Sequence, residues 1–292
     1  MTLIRSILAA TLAVSCLAPV QSAHAQTATP AITVEADAKR KINLADRERM
    51  LSQYMAKAVC FAALGIDQKA QLEELKFAHH MFERALVDLR DGSTTQRLLP
   101  VDTTDKPINN ALDDVERLWY TYGIAVKKLD LPTVSAENLA LLEKIDTVVT
   151  VFQMRNAAKH VAPDVSAAIS ISGRQRMLTQ KSSKEFCLIV SGQDVAANRT
   201  NLKATIALFQ TSLTGLKDGN AEMGLKAAPN PGIVEQIGKV GAAWQPMSEI
   251  FARIADGAKP TPEEVLAISR QNVAVMETAN AMTTLYEQSA SQ

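Results

Sequence analysis

The sequence predicts an all-α protein made of two tandem up-down four-helix bundles related by a pseudo-twofold axis. Three observations lead there. First, the chain repeats itself. Ile42–Gln53 (INLADRERMLSQ) recurs as Ile169–Gln180 (ISISGRQRMLTQ), and the constant offset of 127 also pairs Lys57 with Lys184, Cys60 with Cys187, Phe82 with Phe209 and Asp91-Gly92 with Asp218-Gly219. A self-match of that length sets the architecture before any local reading does. Second, apolar residues in every candidate segment recur at a spacing near 3.6, and the segments run to about 20 residues or more, too long for strands. Third, each repeat holds four such segments joined by short Gly, Pro and Asp connections, the pattern of antiparallel helices in an up-down bundle.

Taken in order, residues 26–36 read as a loose lead-in and 37–64 as a long first helix ending near Gly65. Asp67 is placed as N-cap of a helix over about 68–91, which carries Leu75, Phe82, Leu86 and Leu89 at helical spacing and stops at Asp91-Gly92. Residues 93–107, with Ser, Thr, Asp and two prolines, read as a loop. A third helix covers about 108–129. Pro132 reads as a break, with the fourth helix starting at Ser135 and running to about Ala162. Pro163-Asp164 divides the modules, 37–162 and 163–290. The second module repeats the plan with helices over about 165–191, 194–217, 233–256 and 262–288, where Thr261 is the N-cap before Glu263 and Glu264, and Pro246 is expected to kink the third. Trp119 and Trp244, at matching places, read as packing between helices.

The first 25 residues stand apart. Arg5 precedes an apolar run from Ser6 to Val20, and Ala23-His24-Ala25 is a small-x-small cleavage signal, so residues 1–25 read as a secretory signal peptide cut after Ala25. The expected compartment is the periplasm. With 31 basic and 31 acidic residues the chain is close to neutral, which gives no electrostatic footprint for nucleic acid. No nucleophile motif, phosphate loop or dinucleotide fingerprint is present. His79, His80 and His160 lack partners at ligand spacing, so no metal, cofactor or catalytic residue is expected.

The repeated helix has two faces. With Arg49 at zero on a wheel of about 100° per residue, Ala45, Asp46, Ser52, Gln53 and Cys60 fall on its side, and Leu44, Leu51 and Met55 lie opposite. The second copy places Ser172, Gly173, Arg176, Thr179, Gln180 and Cys187 together in the same way. The two cysteines occupy one repeat position, and in an oxidising compartment a pair favours a Cys60–Cys187 disulfide; two buried, unpaired thiols packing as small residues are the alternative. A disulfide makes the two helices parallel and in register and brings Arg49 opposite Arg176. Two guanidiniums roughly 7 Å apart repel by about 2 kcal/mol at an effective dielectric near 20, so something negative is expected between them. A small inorganic oxyanion suits the guanidinium fork, with Gly173, Ser172, Ser52 and Thr179 giving close approach and hydroxyls. Arg47 and Arg174 point about 160° away and are expected to serve their own bundles.

The stretch Asn43–Gln53, with its copy around Gly173–Met177, resembles the signature helix of the type IV pili methyl-accepting chemotaxis transducer N-terminal (PilJ-type) domain, and is similar to that of periplasmic nitrate/nitrite sensor domains. The resemblance is strong over about a dozen residues in each copy. It implies a four-helix fold and binding of nitrate or nitrite at a dimer seam by the arginine before the Met, here Arg49 and Arg176. This chain departs from the pattern at Asp46, where the family and Gly173 have glycine; a carboxylate one turn before Arg49 can pair with it and compete with an anion. Ser170 stands where the first copy has Asn43.

The function these features predict is an exported sensory or ligand-binding protein that holds a small oxyanion between the two repeated helices and reports to a membrane receptor, sensor kinase or transporter. The alternative is a structural or protein-interaction bundle without a small-molecule ligand.

Overall fold

A computed structural model describes residues 31–289. The expected signal peptide, residues 1–25, lies outside them. Among the described residues eight α-helices follow one another: α1 Val34–Ala63, α2 Gln68–Asp91, α3 Lys106–Lys127, α4 Leu131–Val151, α5 Pro163–Ser191, α6 Val195–Asp218, α7 Pro231–Ala255 and α8 Pro262–Ser289, with a π turn at Phe152–Asn156 and a 3-10 turn at Ala157–Lys159 after α4. None of these helices is long and apolar enough to cross a membrane.

Local chemistry explains most of the ends. Thr33 caps α1 by accepting the Ala36 amide at 3.2 Å, three residues inside the expected lead-in. Thr261 and Glu264 form a reciprocal capping box at the head of α8. Asp67 stands at the N-cap position of α2 as expected, in the left-handed region (φ 45°), but its side chain makes no capping bond; its carboxylate instead holds Arg270 of α8 at 2.8 Å. The start of α4 is corrected. Helix α4 starts at Leu131, not Ser135, because Asp130 accepts the Thr133 amide and Pro132 falls in the first turn, where its missing N–H costs nothing. Pro163 likewise falls in the first turn of α5, and α7 runs through Pro246.

The repeat extends into the loops. After α2 and after α6 the chain closes a small hairpin, with backbone bridges Ser93–Leu98 and Asn220–Leu225 at the same offset of 127. The residue before each closing leucine has positive φ, Arg97 at 54° and Gly224 at 69°. Glycine tolerates that geometry; an arginine there bears strain of about 1–2 kcal/mol.

Helix α1 packs against α2 and α4, and α3 against α4; α5 packs against α6 and α8, with α7 closing the second bundle. Among the described helices the most extensive contact joins α1 to α5. Each bundle contains an aromatic pair built on a repeat-related phenylalanine: Phe82 with Trp119 (ring centroids 4.3 Å) and Phe209 stacked on Trp244 (3.9 Å), the tryptophans lying two positions out of the offset. Consequently α1 and α5, each covered by its own bundle and by the other, are buried almost all round.

Candidate ligand site at the seam of the two bundles

The α1–α5 seam is parallel and in register. Cys60 and Cys187 form a disulfide with Cα atoms 6.1 Å apart. Eleven residues earlier on each helix the two arginines cross. Arg49 Nη1 approaches Ser170 Oγ at 3.4 Å, while Arg176 Nη2 donates to the carbonyl (3.2 Å) and side-chain oxygen (2.8 Å) of Asn43. Asn43 and Ser170 are repeat partners, so the two contacts are one interaction seen twice about the pseudo-twofold. Small residues allow it. A Cβ placed on Gly173 meets the Cβ of Asp46 at 2.8 Å and Arg176 Nη2 at 3.0 Å, so the approach of α1 to α5 excludes even alanine without a shift.

The charges at the two arginines differ. Arg49, 3% exposed, pairs through Nη1 with Asp46 and through Nε with Asp146 of α4. Asp46 is fully buried, with Oδ2 making no hydrogen bond. Burial pushes its carboxyl above the usual range, and the charges of Arg49, Arg176 and Arg174 pull it back. Asp46 is therefore the negative group between the arginines, supplied by the protein itself. Arg176, 1% exposed, has only neutral direct partners: Asn43, Asn280 Oδ1 at 2.8 Å and the Gly173 carbonyl at 3.3 Å. Burial brings its guanidinium down to about 10, against the pull of Asp46, and it stays charged at neutral pH.

Arg176 opens onto a cavity of about 340 Å3 between α1, the first hairpin and α8. Arg40, Asn43 and Arg47 of α1 line it, with Thr95 to Leu98 from the hairpin and Asn280, Thr284 and Glu287 from α8. Arg40 donates to the Arg97 carbonyl at 3.3 Å and lies 3.8 Å from Glu287, which also accepts from Asn43 at 2.6 Å. Arg47 Nε is buried without a hydrogen-bond partner; beyond the burial that lowers its guanidinium, Glu48 and Asp88 of α2 are its nearest electrostatic support. Arg174 lies in a separate groove with Asp146 and Lys181.

Of the residues assigned to the anion site from the sequence, Arg176 lines the cavity and Arg49, Gly173, Ser172, Ser52 and Thr179 do not; Arg47, expected to serve its own bundle, lines it as well. The hydroxyls give their protons to their own helices: Ser52 to the Arg49 carbonyl (2.8 Å), Ser172 to Ile169 (3.0 Å) and Thr179 to Gln175 (3.0 Å). That leaves lone pairs, which do not attract an anion. Arg40, Arg97, Asn280 and Glu287 were missed. A signal for the first two lay in the repeat itself, since their partners are Ala167 and Gly224: guanidiniums appear in one copy where the other has almost no side chain.

Two four-helix modules of one kind, fused in tandem and joined along their first helices, define a duplicated helical domain. The family model for the type IV pili methyl-accepting chemotaxis transducer N-terminal domain (PilJ) matches residues 32–145 and again 160–284, and the chain belongs to that family. It is also similar to the methyl-accepting chemotaxis protein McpN of Pseudomonas aeruginosa, 33% identical over 90 residues, which is 31% of this chain and 16% of McpN.

Proposed function

We propose that this chain is an exported sensory module that binds a small oxyanion, the class that spans nitrate, nitrite and carboxylates, at Arg176, and passes the bound state to a membrane partner. The reading is supported by its membership of a chemotaxis transducer family and by the leader-like residues 1–25. One observation carries it: a buried guanidinium whose direct partners are all neutral, facing a polar cavity. Burial of a charge is costly; Asp46, which pulls on this guanidinium, is bonded to Arg49 instead, and an anion entering the cavity offsets the cost that remains. Arg49 is not the anchor in this reading, because Asp46 and Asp146 already hold it.

Thermal denaturation with nitrate, nitrite, sulfate, phosphate, acetate and succinate at fixed ionic strength tests the proposal. A binding anion raises the midpoint, equivalent to about 2.7 kcal/mol at a hundredfold excess over its dissociation constant, and Arg176→Ala removes the response. If none of them shifts the wild type, the interaction-bundle reading takes its place.

A further inference from the structure

The cavity holds more charge and more room than a four-atom anion needs. Resting on the Arg176 site proposed above, we propose that its ligand is a small organic dianion with two separated carboxylates, held at one end by Arg176 with Asn43 and Asn280 and at the other by Arg40 and Arg97. Three observations support this. The volume, about 340 Å3, lies in the range of pockets for small organic molecules. The lining carries four arginines from three segments and one carboxylate, Glu287, so the cavity favours an anionic ligand. The third is the difference between the repeats. Arg40 and Arg97 stand where the second copy has Ala167 and Gly224, and Arg97 keeps positive φ in the turn that Gly224 makes without strain. Strain of this kind, held at a cavity wall, is a mark of function rather than of folding.

Arginine suits the two ends because its guanidinium gives charge-assisted hydrogen bonds to a carboxylate; at Arg176 one Nη1 N–H remains for the ligand, the others bonding Gly173, Asn43 and Asn280. The asparagines complete the Arg176 end: Asn280 and Asn43 both present oxygens to the guanidinium and so orient it. Glu287, tied to Asn43 and Arg40 on one wall, offsets part of the positive field and disfavours binding of a second anion beside the first.

The test is isothermal titration and thermal shift with malonate, succinate, glutarate, acetate and nitrate, on wild type, Arg97→Gly, Arg40→Ala and Arg176→Ala, with helical circular dichroism as the control for folding. At least one of the three dicarboxylates is expected to bind tenfold or more tightly than acetate or nitrate. Arg97→Gly and Arg40→Ala, which install the residues of the second repeat, should each lower that affinity about tenfold, the loss of a charge-assisted hydrogen bond, while leaving acetate and nitrate binding within twofold. The ligand-free melting temperature of Arg97→Gly, in which glycine relieves the turn, is read alongside, so that a loss of folding is told from a loss of binding. Nitrate or acetate binding as tightly as every dicarboxylate overturns the dianion and leaves the Arg176 site standing. Dicarboxylate affinity unchanged in both Arg97→Gly and Arg40→Ala overturns it too. Absence of any Arg176-dependent binding removes both proposals.

Discussion

Arg49 and Arg176 occupy the same position in two copies of one helix, cross the same seam and reach for the same partner position, yet their surroundings have diverged. Around Arg49 the counter-charge is built in, from Asp46 one turn back and Asp146 on α4. Around Arg176 the corresponding glycine, Gly173, leaves the place open for Asp46 to approach from the other helix, and the direct partners are amides and a carbonyl. Two identical chains meeting along this helix could not make that distinction, because a carboxylate at position 46 would appear on both sides. Fusing the copies into one chain removes the constraint: one pole can be closed with an internal anion and become structural while the other faces a cavity. Lys57 and Lys184 repeat the contrast lower in the seam. Both are buried, but Lys57 bonds the carboxylate of Glu74 and Lys184 the amide oxygen of Asn138.

The largest effect is expected from the bond that keeps the poles in register. The disulfide spans 127 residues, and in the chain-entropy model closing so long a loop stabilises by about 4–5 kcal/mol. Urea unfolding of the Cys60→Ser, Cys187→Ser double variant should show a loss of that order. A loss under about 1 kcal/mol would mean that packing alone fixes the register and that the cysteines merely report it.

Next comes a direct test of the contrast between poles. Arg49→Ala leaves Asp46 buried without its partner, an event that costs about 3–5 kcal/mol. Arg176→Ala removes a charge that has no carboxylate bonded to it, so its cost without ligand should be smaller, about 1 kcal/mol for the hydrogen bonds lost. Adding Asp46→Gly to Arg49→Ala should recover most of the loss, and the double-mutant cycle measures the coupling. Equal costs for the two arginine truncations, or no coupling between Arg49 and Asp46, would remove the distinction between a structural and an open pole.

How far the sequence exposed this site follows from which interactions are local. The repeat, the helices and the seam could be read because they rest on periodicity and on an offset that a linear text preserves. The Arg49–Asp46 pair was legible for the same reason, being three residues apart on one helix. Asp146, Asn280 and Glu287 were not, since they reach the seam from α4 and α8, whose rotation about their own axes no motif fixes. The hairpins escaped for a different reason: Ser93–Leu98 and Asn220–Leu225 are six-residue turns whose composition reads as plain loop, although Gly224 opposite Arg97 marked a left-handed position in both copies. The start of α4 was misread because Pro132 was weighed as a breaker instead of a first-turn residue.

The smallest expected effect concerns Lys184, where the contrast between a carboxylate and an amide partner turns into a pH dependence. Burial lowers its amine from the ordinary 10.5 to about 8, only partly opposed by the charge of Glu185, while Lys181 adds to the lowering. A folded-state value below the unfolded one means that the native protein releases the proton first. Between about pH 8 and 10.5 the unfolded chain holds more protons, and stability rises with pH across that window; below it, both states are protonated and the full cost of burying the charge remains. Replacing Lys184 by Met removes that cost and forfeits the bond to Asn138, for a net gain of about 2 kcal/mol at pH 7. The advantage of Lys184→Met over wild type should therefore hold steady up to about pH 8 and shrink above it, by at most about 1.4 kcal/mol per pH unit. Paired urea titrations at pH 7, 8.5 and 9.5 measure the difference directly, which cancels groups that titrate alike in both proteins. Lys57→Met, assayed in parallel, should gain less at pH 7, because it strands Glu74. An advantage for Lys184→Met that stays flat to pH 9.5, or a gain for Lys57→Met as large as for Lys184→Met, would show that the two repeats treat their buried lysines alike and would confine the asymmetry to the arginine end of the seam.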